Sequence, residues 1–203
     1  MSKRMKKFLL IGLVGILLGG CSSKPINLPT NVKTIPSGTG QSTYIDQIDH
    51  SFIPAKILNF SDLKICAASV FKNDTVILQD ASNSYVGVFT GNYYNNTKTQ
   101  AIGGGDVFKL IDEPSKTLIA TGNKKTAPQQ GGLIVDSIKY DAKITLQNNK
   151  VGLTFQNIEA AQQNTGASTN SGYRQIGTWS GARAPAAIAT INGLAQSFKS
   201  CLN

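Results

Sequence analysis

Three cysteines, one histidine and 11 carboxylates are the side chains of this 203-residue chain most able to do chemistry, and their spacing decides which kind. Cys21 closes Leu18-Gly19-Gly20-Cys21, behind Lys3, Arg4, Lys6 and Lys7 and an apolar run of 11 residues, Phe8 to Leu18. A basic flank, an apolar core and a small-residue pair are what an export machinery and its peptidase read. The run is too short to cross a bilayer, which takes about 20 residues. His50 follows Asp49, a neighbour able to orient an imidazole. A triad needs its members to meet in space, however, and no serine lies in the Gly-x-Ser-x-Gly turn that exposes one at a strand end. Ser180, in Trp179-Ser180-Gly181, lacks the preceding glycine at the needed position, so His50 is read as a surface or loop residue.

Metal chemistry is no better provided for, because zinc needs three or four Cys, His or carboxylate ligands. Asp112-Glu113 precedes Pro114 as a turn, and Asp136 and Asp141 lie on opposite sides of one candidate strand. No spacing selects a glycosidase pair of carboxylates. Gly103-Gly104-Gly105-Asp106 leads into a strand, where a phosphate loop would open a helix. The expectation is no catalytic residue, no metal site and no cofactor. Tyr93, Tyr94, Tyr173 and Trp179 flank loops and strand ends, where an amphipathic ring touches a partner while its polar tip stays wet. The competing reading buries these rings against the sheet edge.

Leu18-Gly19-Gly20-Cys21, with the basic and apolar segments before it, resembles the lipobox of bacterial lipoproteins. The resemblance implies that Cys21 is diacylated, becomes the new N-terminus after cleavage and is acylated again on its amine. Ser22 and Ser23 stand where enterobacterial-type lipoproteins place an inner-membrane retention aspartate, so the same resemblance implies an outer-membrane protein, lipid-anchored, with its domain facing the periplasm. Without residues 1–20 the chain keeps 16 basic and 11 acidic residues, a net charge of +5 instead of +9. Those bases are dispersed, Lys124-Lys125 being the one adjacent pair, and they do not interleave with aromatics as in a single-strand groove, so nucleic acid is not an expected partner. Acylation of Cys21 leaves Cys66 and Cys201 in an oxidising compartment, where they pair, the alternative being two reduced thiols.

The organisation that follows is a signal peptide over 1–20, a lipidated cysteine and flexible tether over 21–43, and a single domain over 44–203. Pro25, Pro29 and Pro36 give the tether an extended character, with a reach of roughly 60 to 70 Å. Ser61, as N-cap, opens a helix to Lys72, with Leu63, Cys66, Ala67, Val70 and Phe71 on one face. Residues 75–79, 84–94, 107–111 and 117–121 read as strands, and 95–105 as an exposed loop. A hairpin of 133–147 and 150–160 turns at Asn148-Asn149, which sets Leu146 against Val151, Ile144 against Leu153 and Ala142 against Phe155. Residues 173–180 supply a last strand. Pro185 opens a terminal helix whose stripe runs through Ala187, Ile191, Leu194, Phe198 and Cys201.

The fold class expected is α+β: an antiparallel sheet with an N-terminal and a C-terminal helix packed on one face, the arrangement that lets Cys66 and Cys201 meet. This order of elements resembles small periplasmic lipoprotein domains of TATA-binding-protein-like or helix-grip type. That resemblance implies a binding or structural module and transfers no catalytic residue. The function expected is a noncatalytic outer-membrane lipoprotein whose domain binds a protein or envelope polymer within an envelope assembly. The alternative is a cell-wall-acting hydrolase or an inhibitor of one, which would require convergent ionisable groups in a cleft.

Overall fold

The computed structural model describes residues 25–38 and 42–203. Cys21 and residues 1–20, read from the sequence as a signal peptide, lie outside the described residues. Within them the chain forms β1 (Val32–Pro36), β2 (Thr43–Phe52), α1 (Phe60–Val70), β3 (Thr75–Asp80), β4 (Tyr85–Val86), β5 (Tyr93–Tyr94), β6 (Lys98–Gly103), β7 (Phe108–Asp112), β8 (Thr117–Lys125), β9 (Asp136–Gln147), β10 (Lys150–Gln162), β11 (Arg174–Gln175) and α2 (Ala184–Leu202). Seven strands make one antiparallel sheet in the order β1-β2-β10-β9-β8-β7, with β11 on β10. Two short antiparallel pairs, β3 with β6 and β4 with β5, stand apart from it.

The hairpin read from the sequence is the centre of that sheet. Asn148 and Asn149 take φ of 49° and 56°, the left-handed pair that a two-residue turn requires. Leu146 faces Val151, Ile144 faces Leu153 and Ala142 faces Phe155, all of them buried. Both helices lie against this face in a single core. Phe71, just after α1, stacks on Phe198 of α2 at 5.4 Å between ring centroids and meets Tyr140 and Phe155 edge to face. No helix among the described residues is long and apolar enough to cross a membrane.

Local chemistry moves several boundaries. Helix α1 is capped by Asn59, whose Oδ1 accepts from the Asp62 N–H (2.9 Å) while Asp62 Oδ2 accepts from the Asn59 N–H (2.9 Å). This capping box starts the helix ahead of Ser61, the N-cap expected from the sequence. Residues 95–105 are not an exposed loop throughout, because Lys98–Gly103 pairs with β3 as β6. The single strand expected over 84–94 is two, folded on each other about residues 87–92. Gly87 permits that fold, since a Cβ there would strike Thr90 Oγ1 and the Tyr94 ring.

The tether expected over 21–43 is also corrected. Pro25 bridges to Trp179, Ile26 donates to the Thr178 carbonyl (3.0 Å), and β1 pairs with β2, so the fold begins at least 19 residues before Tyr44. Ile26, Leu28 and Val32 pack on the core, too sparsely spaced to register as a periodic pattern. Pro36 is tolerated because β1 is an edge strand whose outward N–H groups have no partner to lose. An extra residue at Asp46 of β2, opposite Lys33/Thr34, and another at Lys109 of β7 interrupt both outer ladders, a device that discourages further strand pairing.

Cys66 and Cys201 form a disulfide with Cα atoms 5.7 Å apart. Cys66 is buried, but Cys201 is exposed at the end of α2, so the bridge lies at the rim of the core and not between two inward-facing stripes. The loop it closes spans 135 residues. In the chain-entropy account a closure of that length stabilises by about 4 to 5 kcal/mol. Cys66→Ala, Cys201→Ala and the double variant are therefore expected to lose several kcal/mol, each by the same amount, in urea unfolding. A double variant as stable as the parent would refute the bridge as a fold constraint.

Candidate functional site

Three acids on the open face of the sheet, Asp49, Asp141 and Glu159, are held in ion pairs. Asp49 Oδ2 is 2.9 Å from Lys33 Nζ, and the carboxylate also accepts from Thr154 Oγ1 (2.7 Å) and Gln47 Nε2 (2.9 Å). Asp141 accepts from Lys109 Nζ (2.6 Å) and Asn157 Nδ2 (2.8 Å). Partial burial pushes both carboxyls up, yet these donors hold both below the usual carboxylate range. Lys139 pairs with Glu159 (2.7 Å) beside them. Each acid is thus engaged by its own cation, which leaves it a poor proton shuttle.

Asp49 and His50 do not form a dyad, because neighbours on a strand face opposite ways. His50 is corrected from the surface or loop residue expected: it sits within β2, half-buried, with its ring edge-on to Phe155 at 6.2 Å. Its Nε2 is buried without a hydrogen-bond partner. Burial lowers its pKa, and the Asp49 charge and the neighbouring Asn192 side chain, whose Oδ1 is likewise buried without a well-formed bond, only partly oppose this.

Asp136 and Asp141 also separate across the sheet. Asp136 is buried on the helix side, where Arg183 reaches it with Nε (2.8 Å) and Nη2 (3.0 Å) and Gln129 Nε2 adds a third bond (3.0 Å). Arg183 precedes α2 with φ of 61°, a left-handed conformation that its two-pronged bond to Asp136 helps hold. A small cavity of about 230 Å³ lies beside this pair, bordered by Gln162, Asn170 and Arg174. Among the described residues no group of three or more His, Cys, Asp or Glu side chains could hold a metal ion.

The aromatic residues singled out in the sequence do not converge. Tyr173 Oη lies 3.0 Å from Ser137 Oγ and its ring is under Lys139 Nζ at 5.3 Å. Trp179 lies edge-on to Tyr44 at 5.6 Å and covers Gly177, where any Cβ would collide with the indole. Both are half-buried parts of the frame. Tyr93 and Tyr94 instead stand on the β4–β5 hairpin, 63% and 41% exposed, with Tyr94 stacked on Tyr85 at 5.0 Å. Val88 and Phe89 at its tip are fully open, at 92% and 102%. The sequence reading missed Tyr85, Val86, Val88 and Phe89 because it took 84–94 for one strand. Gly87 and Gly91-Asn92 inside that stretch were the turn signal that could have found them.

The hairpin has a firm root. Asp80 accepts from Ser82 Oγ and from the N–H groups of Ser82 (3.0 Å) and Asn170 (3.1 Å), donors that hold its carboxyl below the usual range. Ala81 donates to the Gly166 carbonyl (2.7 Å).

A second surface feature is an open trough of about 670 Å³ between the end of α1, the β8–β9 connection and α2. Lys124, Lys125 and Pro128 form one bank, and Ala189, Thr190 and Gly193 of α2 the other. Neither lysine side chain is in an ion pair or hydrogen bond among the described residues. No protein-family model, curated protein or solved structure matches the chain. The class that fold and surface define is an α+β domain closed by one disulfide, with a trough and an exposed hairpin on its surface.

His50 generates a pH prediction. With its folded pKa below the unfolded value of about 6.5, the neutral ring contributes stability that is complete above that pH and is lost as the pH falls through the lowered folded value. The urea midpoint should therefore drop between pH 7.5 and pH 5.5, and the drop should shrink in His50→Leu. A parent midpoint flat across this window would contradict the reading.

Proposed function

We propose that this is a noncatalytic outer-membrane lipoprotein, anchored through acylated Cys21, whose periplasmic domain binds a protein or envelope polymer in the trough between α1, α2 and the β8–β9 connection. The observation that carries the binding role is Gly193. It sits in the interior of α2, where glycine costs about 0.5 to 1 kcal/mol relative to alanine, and nothing lies within 4 Å of where its Cβ would be. No contact inside the fold needs that glycine, whereas a chain lying in the trough would approach the helix backbone closely over it. Exposed Ala189 beside it keeps the bank low, and the unpaired Lys124 and Lys125 favour an occupant with carboxylates facing them. The anchoring role is supported by the lipobox resemblance of residues 18–21 and by the absence of charge along Phe8 to Leu18.

Two experiments test the two halves. Cys21→Ser is expected to lose metabolic acyl label and to leave the membrane fraction; a mutant still labelled and still membrane-bound would sink the anchor. Gly193→Ala should raise the stability of the domain by about 0.5 to 1 kcal/mol, and Gly193→Arg should leave it folded while filling the trough. A photo-cross-linker at Ala189 in intact envelopes should then yield a discrete adduct in the parent that Gly193→Arg abolishes. An adduct unchanged by Gly193→Arg would exclude the trough as the binding surface.

A further inference from the structure

We infer that the β4–β5 hairpin is a membrane-seating arm that lays Val88 and Phe89 into the lipid surface on which the chain is anchored. The inference rests on the proposed acylation of Cys21 and adds a second lipid contact, separate from the trough. Three residues, 22–24, separate Cys21 from Pro25, the first described residue. Pro25 is held to Trp179, and Ile26 to Thr178, by backbone pairing. Four extended peptide links reach only about 13 to 14 Å. An anchored domain therefore cannot stand away from the leaflet, and the end of the sheet that holds Pro25 and Trp179 must face it.

The strand registers identify that end. Thr178 donates to the Thr43 carbonyl (3.0 Å) at the start of β2, β10 finishes there, and α2 sets out from there just after Trp179. The hairpin is rooted at the same end. Gln79 pairs in parallel with Asn164, two residues beyond the last residue of β10, so β3 runs toward the anchored end and the arm begins where β3 leaves it. The opposite end of the sheet carries exposed Lys56, Glu113, Lys116 and Lys150.

Composition points the same way. Residues 81–97 contain no charged side chain, and the last charges are Asp80 and Lys98, paired across the base of the arm. Beyond them stand Tyr85, Tyr93 and Tyr94, and beyond these the open Val88 and Phe89. Apolar side chains ahead of tyrosines is the depth order of a bilayer interface, where phenols sit among the headgroups and hydrocarbon lies deeper. Seating is shallow, since the turn leaves backbone groups that need water or headgroups, while Gly87 and Gly91 N–H are satisfied within it by Asn92 and Gly87 carbonyls (2.9 and 2.8 Å).

The test uses the full chain, acylated in cells and reconstituted into phosphatidylcholine vesicles with or without bromine on the upper acyl carbons. Phe89→Trp reports the tip after subtraction of the parent signal from Trp179. Its emission should shift to the blue and fall at least about twofold with brominated lipid, because interfacial apolar groups sit about 5 to 10 Å into the boundary region. Adding Val88→Asp should abolish both effects, and Ile57→Trp, at the opposite end, should show neither. An acylated Phe89→Trp protein with water-like emission indifferent to bromine overturns the arm and leaves the anchor standing. A blue shift without bromine quenching, as when a protein pocket takes the tip, overturns it too. A chain that accepts no acyl label overturns the anchor, and this inference falls with it.

Discussion

The pairing of β9 with β10 is the constraint on which the rest of the molecule depends. The left-handed pair Asn148-Asn149 sets its register, and a slip by one residue would turn Ala142, Ile144 and Leu146 out to the open face. Tyr140 and Phe155, on the same side of the two strands, then present the aromatic floor on which Phe71 and Phe198 close. The turn also reaches outward: Asn149 Oδ1 accepts from the Leu58 N–H (3.1 Å), which positions the chain just before α1. One two-residue turn thus sets both the sheet's buried face and the start of the helix packed against it.

Around that centre, the chain is closed at its rims. The disulfide joins α1 to the last turn of α2, and the Asp136–Arg183 pair holds the first turn of α2 to the start of β9. The second device is a buried, charge-assisted bond, and losing either partner would leave the other uncompensated in a low-dielectric setting. Gly122 marks another close contact, since a Cβ there would meet the Lys72 carbonyl and the Tyr140 hydroxyl. These contacts bring the exit of α1 down onto β8, from which β3 departs toward the arm.

The features that distinguish this domain are local departures from what its own fold requires. A sheet-and-helix core does not need a glycine with empty space above it in mid-helix, nor a projecting hairpin with valine and phenylalanine at its tip. Exposed apolar side chains gathered on one projection are uncommon on a soluble surface, whereas scattered ones are ordinary. The carboxylates go the other way: Asp49, Asp136 and Asp141 are each held by a cation and at least one further donor, so their charges stabilise the frame where they stand.

What the sequence by itself determined is what depends on neighbours along the chain. The Asn148-Asn149 turn and its register, the apolar faces of α1 and α2 and Pro185 in the first turn of α2 are local signals, and the α+β class follows from them; the Cys66–Cys201 pairing came from cysteine count instead. Tertiary structure alone decided where weak segments go. β1 and β6 carry no periodic pattern of their own and become strands because a partner edge is there to pair with. His50 faces Phe155 because β2 was drawn into the sheet, and Tyr93 separates from Tyr173 because a turn at 87–92 carries one into solvent while Ser137 and Lys139 hold the other. A residue's type and spacing set its local conformation, but burial and pairing energies belong to the whole assembled surface, which no short window of sequence contains.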